Sequence, residues 1–424
     1  MIGFRLVGDA MKLSFRGLSV WTGLLCGSLL LAVSAQAETI NPIFSSSFTC
    51  TVCGINPATV VSLQGDPAAE AAITAAANQV SSQFGNAVTA NILFVGVHDG
   101  TNGFLGASIS GSTVYTYSQY VTALAADAAA HPTNTILNSA VANLGSGNGA
   151  ENGAGNSPPV YISANTTDAR VLGLNFGAST AFGVSGSTPQ FDATGDYLGG
   201  GGTVDGIVFL NLDQPLSFTR PIQDPSAGIV YDVETTMEHE IDEVMGIGGA
   251  GSQLNDFNAD SNYAEDFFGV SGEVLGPMDL YRYAAPGTPS FDPVDTSVTG
   301  CGPPTCTGDP SPYFSVDGGL TSIDTFNQAF PLIGGDAGDW GLNLFASCPG
   351  GGEGGTGDVQ DAFSCSNHTA DVMPGTPSYE ASEAIGYDPV PEPVTWAMVL
   401  FGLGGVGATM RMTRRRHGAV GVSG

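Results

Sequence analysis

The chain has 424 residues and a formal net charge of −30 at pH 7, from 40 acidic and 10 basic side chains. Lysine is absent from residues 38–390, and arginine occurs there only as Arg170, Arg220 and Arg282, whereas all but two of the acidic residues lie in this range. Such a surface repels nucleic acid and anionic membranes, which excludes proteins that bind either through a basic face.

The first 37 residues have the pattern of a secretory signal peptide. Arg16 supplies the basic region, residues 18–33 are mostly apolar, and Ala35-Gln36-Ala37 fits a cleavage site. We therefore expect the mature chain to begin at Glu38 and to be exported across the inner membrane.

The first half of the mature chain alternates strand and helix patterns. Residues 40–47 are typical of an extended edge strand, and 90–97 form an apolar run that predicts a buried strand. Residues 67–84 carry apolar side chains at helical spacing, and 118–130 predict a second helix. A Gly/Asn/Ser-rich loop occupies residues 145–159.

The second half begins with a strong strand pattern and then becomes rich in loops. Residues 204–212 (VDGIVFLNL) predict a strand, and a helix is predicted to start near Tyr231. After Gly248 the pattern indicates loops with short strands such as 313–316. These elements predict one domain with long loops over residues 38–389.

The run His239-Glu240-Ile241-Asp242-Glu243 carries the main functional signal. Positions four apart share a helix face, so His239 and Glu243 can hold one metal ion. Glu240 is turned about 100° around the axis, where it can polarise water. This is the spacing of the HExxH zinc helix, with a carboxylate as the second ligand, which zinc also accepts. The alternative is a solvated acidic helix face.

Residues 390–417 end the chain with a sorting signal. A Pro-Glu-Pro motif at 391–393 precedes an apolar stretch that runs to Met410, and arginines cluster at 411–416. The stretch can just span a bilayer with its arginines in the cytoplasm, and an ordinary membrane anchor is the alternative. In order and composition the segment closely resembles the bacterial PEP-CTERM tag. That resemblance implies a Gram-negative exporter, an exosortase-type processing partner, and a cell-surface or extracellular location.

Several motifs follow the helix in a fixed order, and with it they resemble a family. They are Met278–Tyr283, Tyr313–Gly319, Gly335–Trp340, Asp361–Phe363 and Ala384–Asp388. Together they resemble secreted metalloproteases that carry PEP-CTERM tags and an HExxE helix, distant relatives of the metzincins. The resemblance implies an α+β fold, namely a metzincin-like zinc-peptidase domain with a twisted mixed sheet, an active-site helix and a loop-rich C-terminal part. It makes the strand at 204–212 the candidate substrate-binding edge.

The third metal ligand stays open at this point. Gly249 occupies the place of the third metzincin histidine. Asp279 is our first candidate, as a ligand or as a residue that supports a ligand, and His368 is the second. Aspartates within 256–266 remain further alternatives. We expect Arg282 either to stabilise a tetrahedral oxyanion or to form a structural salt bridge.

The resulting prediction is a secreted zinc-dependent endopeptidase acting on a peptide or protein substrate. Zinc would activate a water, and Glu240 would be the general base. The negative charge of Glu243 should make the metal a weaker Lewis acid than a second imidazole would. A non-catalytic surface or biofilm-matrix protein, stabilised by calcium, is the alternative. In either case the membrane is contacted only through the C-terminal sorting helix.

The cysteines predict disulfides. All 7 except Cys26 lie in the mature chain, and an even number in an exported chain favours pairing. Local pairs are our expectation: Cys50–Cys53, Cys301–Cys306 and Cys348–Cys365.

Processing at both ends gives the first testable prediction. Intact-mass analysis of protein secreted by its native host should find a chain that starts at Glu38 and ends near Pro391, because both recognition patterns lie at those points. A secreted chain that retains both end segments would contradict this.

Overall fold

The computed structural model describes residues 38–44, 59–100, 103–144, 160–174, 190–191, 197–199, 204–222, 228–254, 273–291, 312–327, 335–341 and 357–390. The predicted signal peptide, the sorting tag beyond Val390 and the loop at 145–159 lie outside these ranges. Within them, every helix is too short or too polar to cross a membrane.

The described chain contains both strands and helices, interspersed along the sequence. The strands are β1 (Thr39–Phe44), β2 (Val60–Ser62), β3 (Thr89–Val97), β4 (Gly106–Ser110), β5 (Ser112–Thr116), β6 (Val160–Asn165), β7 (Gln190–Phe191), β8 (Tyr197–Gly199), β9 (Gly206–Asn211), β10 (Leu216–Ser217), β11 (Tyr231–Asp232), β12 (Glu273–Leu275), β13 (Arg282–Ala285), β14 (Thr288–Pro289), β15 (Tyr313–Phe314) and β16 (Asp324–Thr325). The helices are α1 (Pro67–Ser81), α2 (Tyr117–Ala130), α3 (Thr135–Asn143), α4 (Thr166–Val171), α5 (Val233–Met245) and α6 (Pro377–Ala384).

The largest sheet is mixed and has the strand order β1-β3-β9-β4, with β2 also paired to β3. Strands β1, β3 and β9 run parallel, and β4 runs antiparallel to β9. Smaller sheets join β12-β6-β5 and β14-β13-β15-β16. This mixture of parallel and antiparallel pairing confirms the predicted α+β class with mixed sheets.

Two predicted strands are present in the structure, but one of them does not lie at the edge of the sheet, where it was expected. The apolar runs at 90–97 and 204–212 form β3 and β9. Strand β9 is not an edge, because it is hydrogen-bonded to β3 on one side and to β4 on the other. Its six residues are all buried, which explains the continuous apolar sequence. The candidate substrate-binding edge is therefore β4.

Side chains on the two faces of this sheet enter two separate apolar clusters. On β3, Ile92 and Phe94 join the large core that also holds α1 and α5, whereas Leu93 and Val95 join a smaller cluster on the opposite face. The alternation follows from the two-residue period of a strand. It places α5, with its His239–Glu243 segment, against one face of the sheet.

Helix α5 has defined boundaries at both ends. Asp232 caps its N-terminus by accepting the backbone N–H of Thr235, and Gly246 ends it with φ +103°, a left-handed conformation that favours glycine. Arg220 also donates to the Asp232 carboxylate and to Asp371, which ties the start of the helix to the C-terminal segment.

Both ends of the domain are held at one place. The N–H of Glu38 donates to the Phe84 carbonyl at 3.0 Å, and that of Val390 donates to the Gln83 carbonyl at 2.8 Å. Gly85 adds a hydrogen bond to the Asp388 carbonyl. The first and last described residues are thus hydrogen-bonded to adjacent residues of one short segment.

The close approach of α5 to the sheet generates a stability prediction. A Cβ added at Gly206 of β9 would lie 2.5 Å from Val244 Cγ2 and 3.0 Å from the Ile109 carbonyl oxygen. Gly206→Ala should therefore lower the free energy of unfolding by about 1–3 kcal/mol, the usual cost of overpacking. Thermal unfolding followed by circular dichroism measures it.

Gly85→Ala is the matched control for this variant. A Cβ there would meet its nearest atoms at 3.7–3.8 Å, which is ordinary van der Waals contact. An equal loss of stability in both variants would show that close packing at Gly206 is not the cause.

Candidate metal centre

Three side chains converge at the C-terminal half of α5. His239, Glu243 and Asp339 each offer one ligand atom, and these atoms lie within 4.8 Å of one another. The Nε2 atom of His239 lies 3.7 Å from Glu243 Oε1 and 4.0 Å from Asp339 Oδ1. All three side chains are at least mostly buried, so the group is a candidate metal-binding site.

The imidazole of His239 is oriented by a hydrogen bond to the main chain. Its Nδ1 lies 2.9 Å from the Val359 carbonyl oxygen, which only accepts, so Nδ1 carries the proton. Nε2 is then the ring atom that faces the two carboxylates. Metal-binding histidines are commonly held in this way, with the second ring N–H donated to a carbonyl or carboxylate.

Gln360 occupies the space beside the candidate ligands. Its Nε2 lies 3.2 Å from His239 Nε2 and donates to Asp339 Oδ1 at 3.0 Å. One N–H donor group thus faces two of the ligand atoms. The ligand atoms of His239 and Asp339 therefore face a common position, beside the Gln360 amide.

Backbone N–H groups and a hydroxyl hold the two carboxylates. The Gly249 N–H is shared between Glu243 Oε1 at 3.2 Å and Asp339 Oδ1 at 3.0 Å. Ser108 on β4 donates its hydroxyl to Glu243 Oε2 at 2.6 Å, and the Asp336 N–H donates to Asp339 Oδ2 at 3.2 Å. The carboxylates are therefore fixed by α5, β4 and two loops together.

Gly249 occupies the position at which the metzincin pattern has its third histidine, and the structure leaves no room for a side chain there. A Cβ at this position would lie 2.5 Å from Asp336 Oδ2 and 2.6 Å from Glu243 Oε1. The residue does reach the site, but it contributes its N–H, and Asp339 supplies the side chain instead.

Burial and like charge set the protonation of the group. Burial raises the pKa of Asp339 to about 6, which the nearby His239 partly offsets. Burial also acts to raise the pKa of Glu243, but hydrogen bonds from His239 and Ser108 bring it below its ordinary value. Burial lowers the pKa of His239, yet Asp339 and Glu243 outweigh it and raise the pKa well above its usual range. Without a bound cation, the imidazole of His239 therefore carries a second proton in addition to the one on Nδ1.

Glu240 lies beside this group but outside it. It follows His239 on α5, is 4% exposed, and lines the same cleft. A Cβ at Gly106 of β4 would lie 2.5 Å from Glu240 Oε1, so glycine there leaves room for the carboxylate. Burial, followed by the charge of Glu243, raises the pKa of Glu240 well above its ordinary value.

The cleft has a volume of about 730 Å³. It is lined by residues 103–108, which lead into β4, and by side chains of α5. Residues within 335–339 and 361–364 line it as well. The candidate ligands therefore open onto a space bounded by an edge strand and two loops.

Two other sequence candidates lie elsewhere. The Asp279 carboxylate accepts the Ser252 hydroxyl and the N–H groups of Gln253 and Gly276, at 2.6–3.0 Å, so it organises the chain after α5. Asp339 replaces it as the candidate third ligand. Among the described residues His368 is also outside the group, and residues 256–266 are not described.

Arg282 contacts the loop that carries Asp336 and Asp339, through the main chain of Ala337. It is fully buried, donates to the Ala337 carbonyl at 2.7 Å, and places its guanidinium 4.5 Å from the centre of the Phe326 ring. It does not line the cleft, so the structural alternative fits its position better than contact with an oxyanion. Through Ala337 it fixes the loop that carries Asp336 and Asp339.

A second His–Asp–Asp group joins α2 to the end of the domain. His131 Nδ1 lies 3.1 Å from Asp127 Oδ1 and 3.0 Å from Asp388 Oδ2. All three residues are partly exposed. The imidazole of His131 thus bridges the carboxylates of Asp127 and Asp388.

Cys365 lies in the same C-terminal region and is disulfide-bonded. It is the one mature cysteine within the described ranges. The expected local pairings therefore stay predictions.

Comparison with known proteins gives no relative: no family model, no curated protein and no solved structure matches this chain. The chemistry of the site must therefore be inferred from its own residues. They are the oriented imidazole of His239, the fixed carboxylates of Glu243 and Asp339, and the adjacent Glu240, and all four line the cleft.

Zinc content tests the ligand set. The purified domain should bind one zinc per chain, and either His239→Ala or Asp339→Asn should weaken binding at least tenfold, because each removes a ligand atom. Affinity should rise between pH 6 and pH 8, because zinc must displace the proton held by the group. Competition with a chromophoric chelator measures both effects.

His131→Ala is the control for that test, since it removes an imidazole from the other His–Asp–Asp group. Loss of zinc from this variant, with zinc retained in Asp339→Asn, would assign the metal to the second group.

Proposed function

We propose that this protein is an exported zinc-dependent endopeptidase. His239, Glu243 and Asp339 hold the metal, and Glu240 is the general base. The observation that carries the proposal is the fixed orientation of His239, whose Nδ1–H binds the Val359 carbonyl and leaves Nε2 toward two buried carboxylates.

The donor set suits zinc. An imidazole nitrogen with two carboxylates is a three-ligand arrangement of the kind found in catalytic zinc sites, which keep a further position open. Calcium and magnesium prefer oxygen donors alone. Zinc bound there would act as a Lewis acid and lower the pKa of a water to about 7.

Glu240 is placed to move a proton. Its carboxylate faces the cleft from the position after His239, beside the ligands and not among them. We assign it to take a proton from the attacking water and to deliver that proton to the leaving amine. The low exposure of the side chain keeps bulk water from competing for the proton.

Strand β4 offers an edge for an extended peptide. The Asn211 N–H binds the Leu105 carbonyl and the Gly111 N–H binds the Asp205 carbonyl, so odd-numbered residues of this segment pair with β9. In an antiparallel ladder the alternate residues, Gly106 and Ser108, then point their N–H and C=O groups away from β9. A substrate strand can add there by β-augmentation along the cleft.

A metzincin-like catalytic domain is part of the proposal. Supporting it are the mixed sheet, the helix α5 that carries the HExxE run against one face, and the turn at Gly246. Glu243 and Asp339 as carboxylate ligands, with Gly249 in place of a histidine, are departures from the metzincin pattern.

Export and processing complete the proposal. We assign residues 1–37 to a signal peptide and 390–417 to a PEP-CTERM tag removed by an exosortase-type enzyme in a Gram-negative bacterium. The domain is then displayed at the cell surface or released, with membrane contact only through the sorting helix before processing. In support, Glu38 and Val390 are both hydrogen-bonded to the 83–85 segment, so the two processing points lie at one end of the domain.

A calcium-stabilised, non-catalytic surface or matrix protein is the second candidate. One observation favours it: besides His239, the cleft is lined by carboxylates including Asp336 and Asp361, an oxygen-rich set that calcium accepts. Metal analysis and a hydrolysis assay distinguish the two candidates.

Glu240→Gln tests the catalytic assignment. This variant keeps the shape of the side chain and removes the base, so it should retain zinc and lose at least about 10²-fold in kcat on unfolded casein. Glu234→Gln, on the same helix and outside the cleft, is the control and should keep its activity. Full activity in Glu240→Gln would refute the mechanism. A wild-type protein that binds calcium alone and hydrolyses nothing would favour the second candidate.

A further inference from the structure

The cleft beside the candidate metal centre is lined by one sign of charge. Five carboxylates face it: Glu240, Glu243, Asp336, Asp339 and Asp361. Among the described residues that line it there is no lysine or arginine. A concave surface of this kind concentrates the electrostatic potential and attracts cations.

The cations of the mature domain are held elsewhere. Arg170 pairs with Asp205 at 2.6 Å, Arg220 pairs with Asp232 and Asp371, and Arg282 is fully buried beneath Ala337. Lysine is absent from residues 38–390. None of the three arginines lines the cleft.

A divalent ion at the ligand group does not cancel this charge. It would balance Glu243 and Asp339, and His239 would be neutral as a ligand. Asp336 and Asp361 would remain. One oxygen of Glu240, Oε2, is also buried without a hydrogen-bond partner in the described part of the chain, which points to a donor that arrives with a ligand.

Asp336 is a carboxylate of the cleft that belongs to neither the ligand group nor the base. Its Oδ2 and Glu243 Oε1 lie 2.5 and 2.6 Å from one point, the Cβ position of Gly249, so about 5 Å at most separates them. The residue is partly buried and lines the same cleft as Gly106 and Ser108 of β4. A peptide bound along β4 would therefore place its side chains in the cleft that Asp336 lines.

We propose that the cleft selects polypeptide substrates with lysine or arginine next to the scissile bond, and that Asp336 is the specificity-determining contact. This inference rests on the proposed peptidase function. An ammonium or guanidinium group supplies charge-assisted hydrogen bonds to a carboxylate that a neutral side chain cannot supply. An acidic side chain at the same place is repelled.

Paired peptides test the inference by binding and by cleavage. Three fluorescent peptides differ only in Lys, Gln or Glu at one position, and anisotropy measures their binding to Glu240→Gln, which keeps the cleft but does not turn over. The Lys peptide should bind about threefold to fivefold more tightly than the Gln peptide, the upper scale of a partly exposed ion pair. Adding Asp336→Asn should reduce this preference to about twofold or less.

Asp66→Asn is the matched control. It removes one charge at the exposed start of α1, where asparagine also caps a helix, and should leave the preference unchanged. Raising the salt concentration should weaken the preference of the wild-type cleft. Mass spectrometry of peptide-library digests by the wild-type enzyme should show the same enrichment of Lys and Arg beside the cleaved bond.

The outcomes separate the two proposals. Equal binding of the Lys and Gln peptides, or cleavage indifferent to basic residues, would overturn the selectivity and leave the peptidase proposal standing. An undiminished preference in Asp336→Asn would overturn the role of Asp336. Selective binding of the Lys peptide by a protein that holds no zinc and cleaves nothing would overturn the peptidase proposal and retain the charge selectivity.

Discussion

The hydrogen bond from His239 Nδ1 to the Val359 carbonyl is the interaction on which the rest of the site depends. It fixes the orientation of the imidazole ring, and it joins α5 to a chain segment about 120 residues later. The neighbouring Gln360 then contacts both His239 and Asp339. Orientation of the ligands is therefore a product of the tertiary fold and not of the helix alone.

The acidity of the site has a structural cost that the fold offsets locally. Buried carboxylates are unfavourable unless they accept hydrogen bonds, and here Ser108, Gly249 and the backbone around residue 336 donate them. Gly106 and Gly249 leave room for the carboxylates, because a Cβ at either position would clash with a carboxylate oxygen. Small residues and main-chain donors thus let several like charges share one space, as expected at a functional site rather than in a packed core.

Sequence patterns predicted the parts of this protein that depend on local periodicity. Strands β3 and β9 are continuous apolar runs, and His239 and Glu243 are four residues apart on one helix. Strand β4 was missed because its sequence, GASIS, is small and half polar and carries little apolar signal. Asp339 was not recognised as a ligand because only the fold brings residues 335–341 to α5; its motif was visible, but its role was not. Asp279 was preferred for its place in another motif, yet its carboxylate organises nearby backbone instead.

The contacts made by the three arginines have a further consequence, for the resistance of the domain to proteolysis. Proteases of trypsin-like specificity need a lysine or arginine that can enter a pocket in an extended segment. The chain from 38 to 390 has no lysine, and each of its three arginines is engaged by carboxylates, by a backbone carbonyl or by an aromatic ring. While the domain stays folded, these contacts hinder the entry of the three arginines into such a pocket. We therefore expect the folded domain to resist proteases of this specificity.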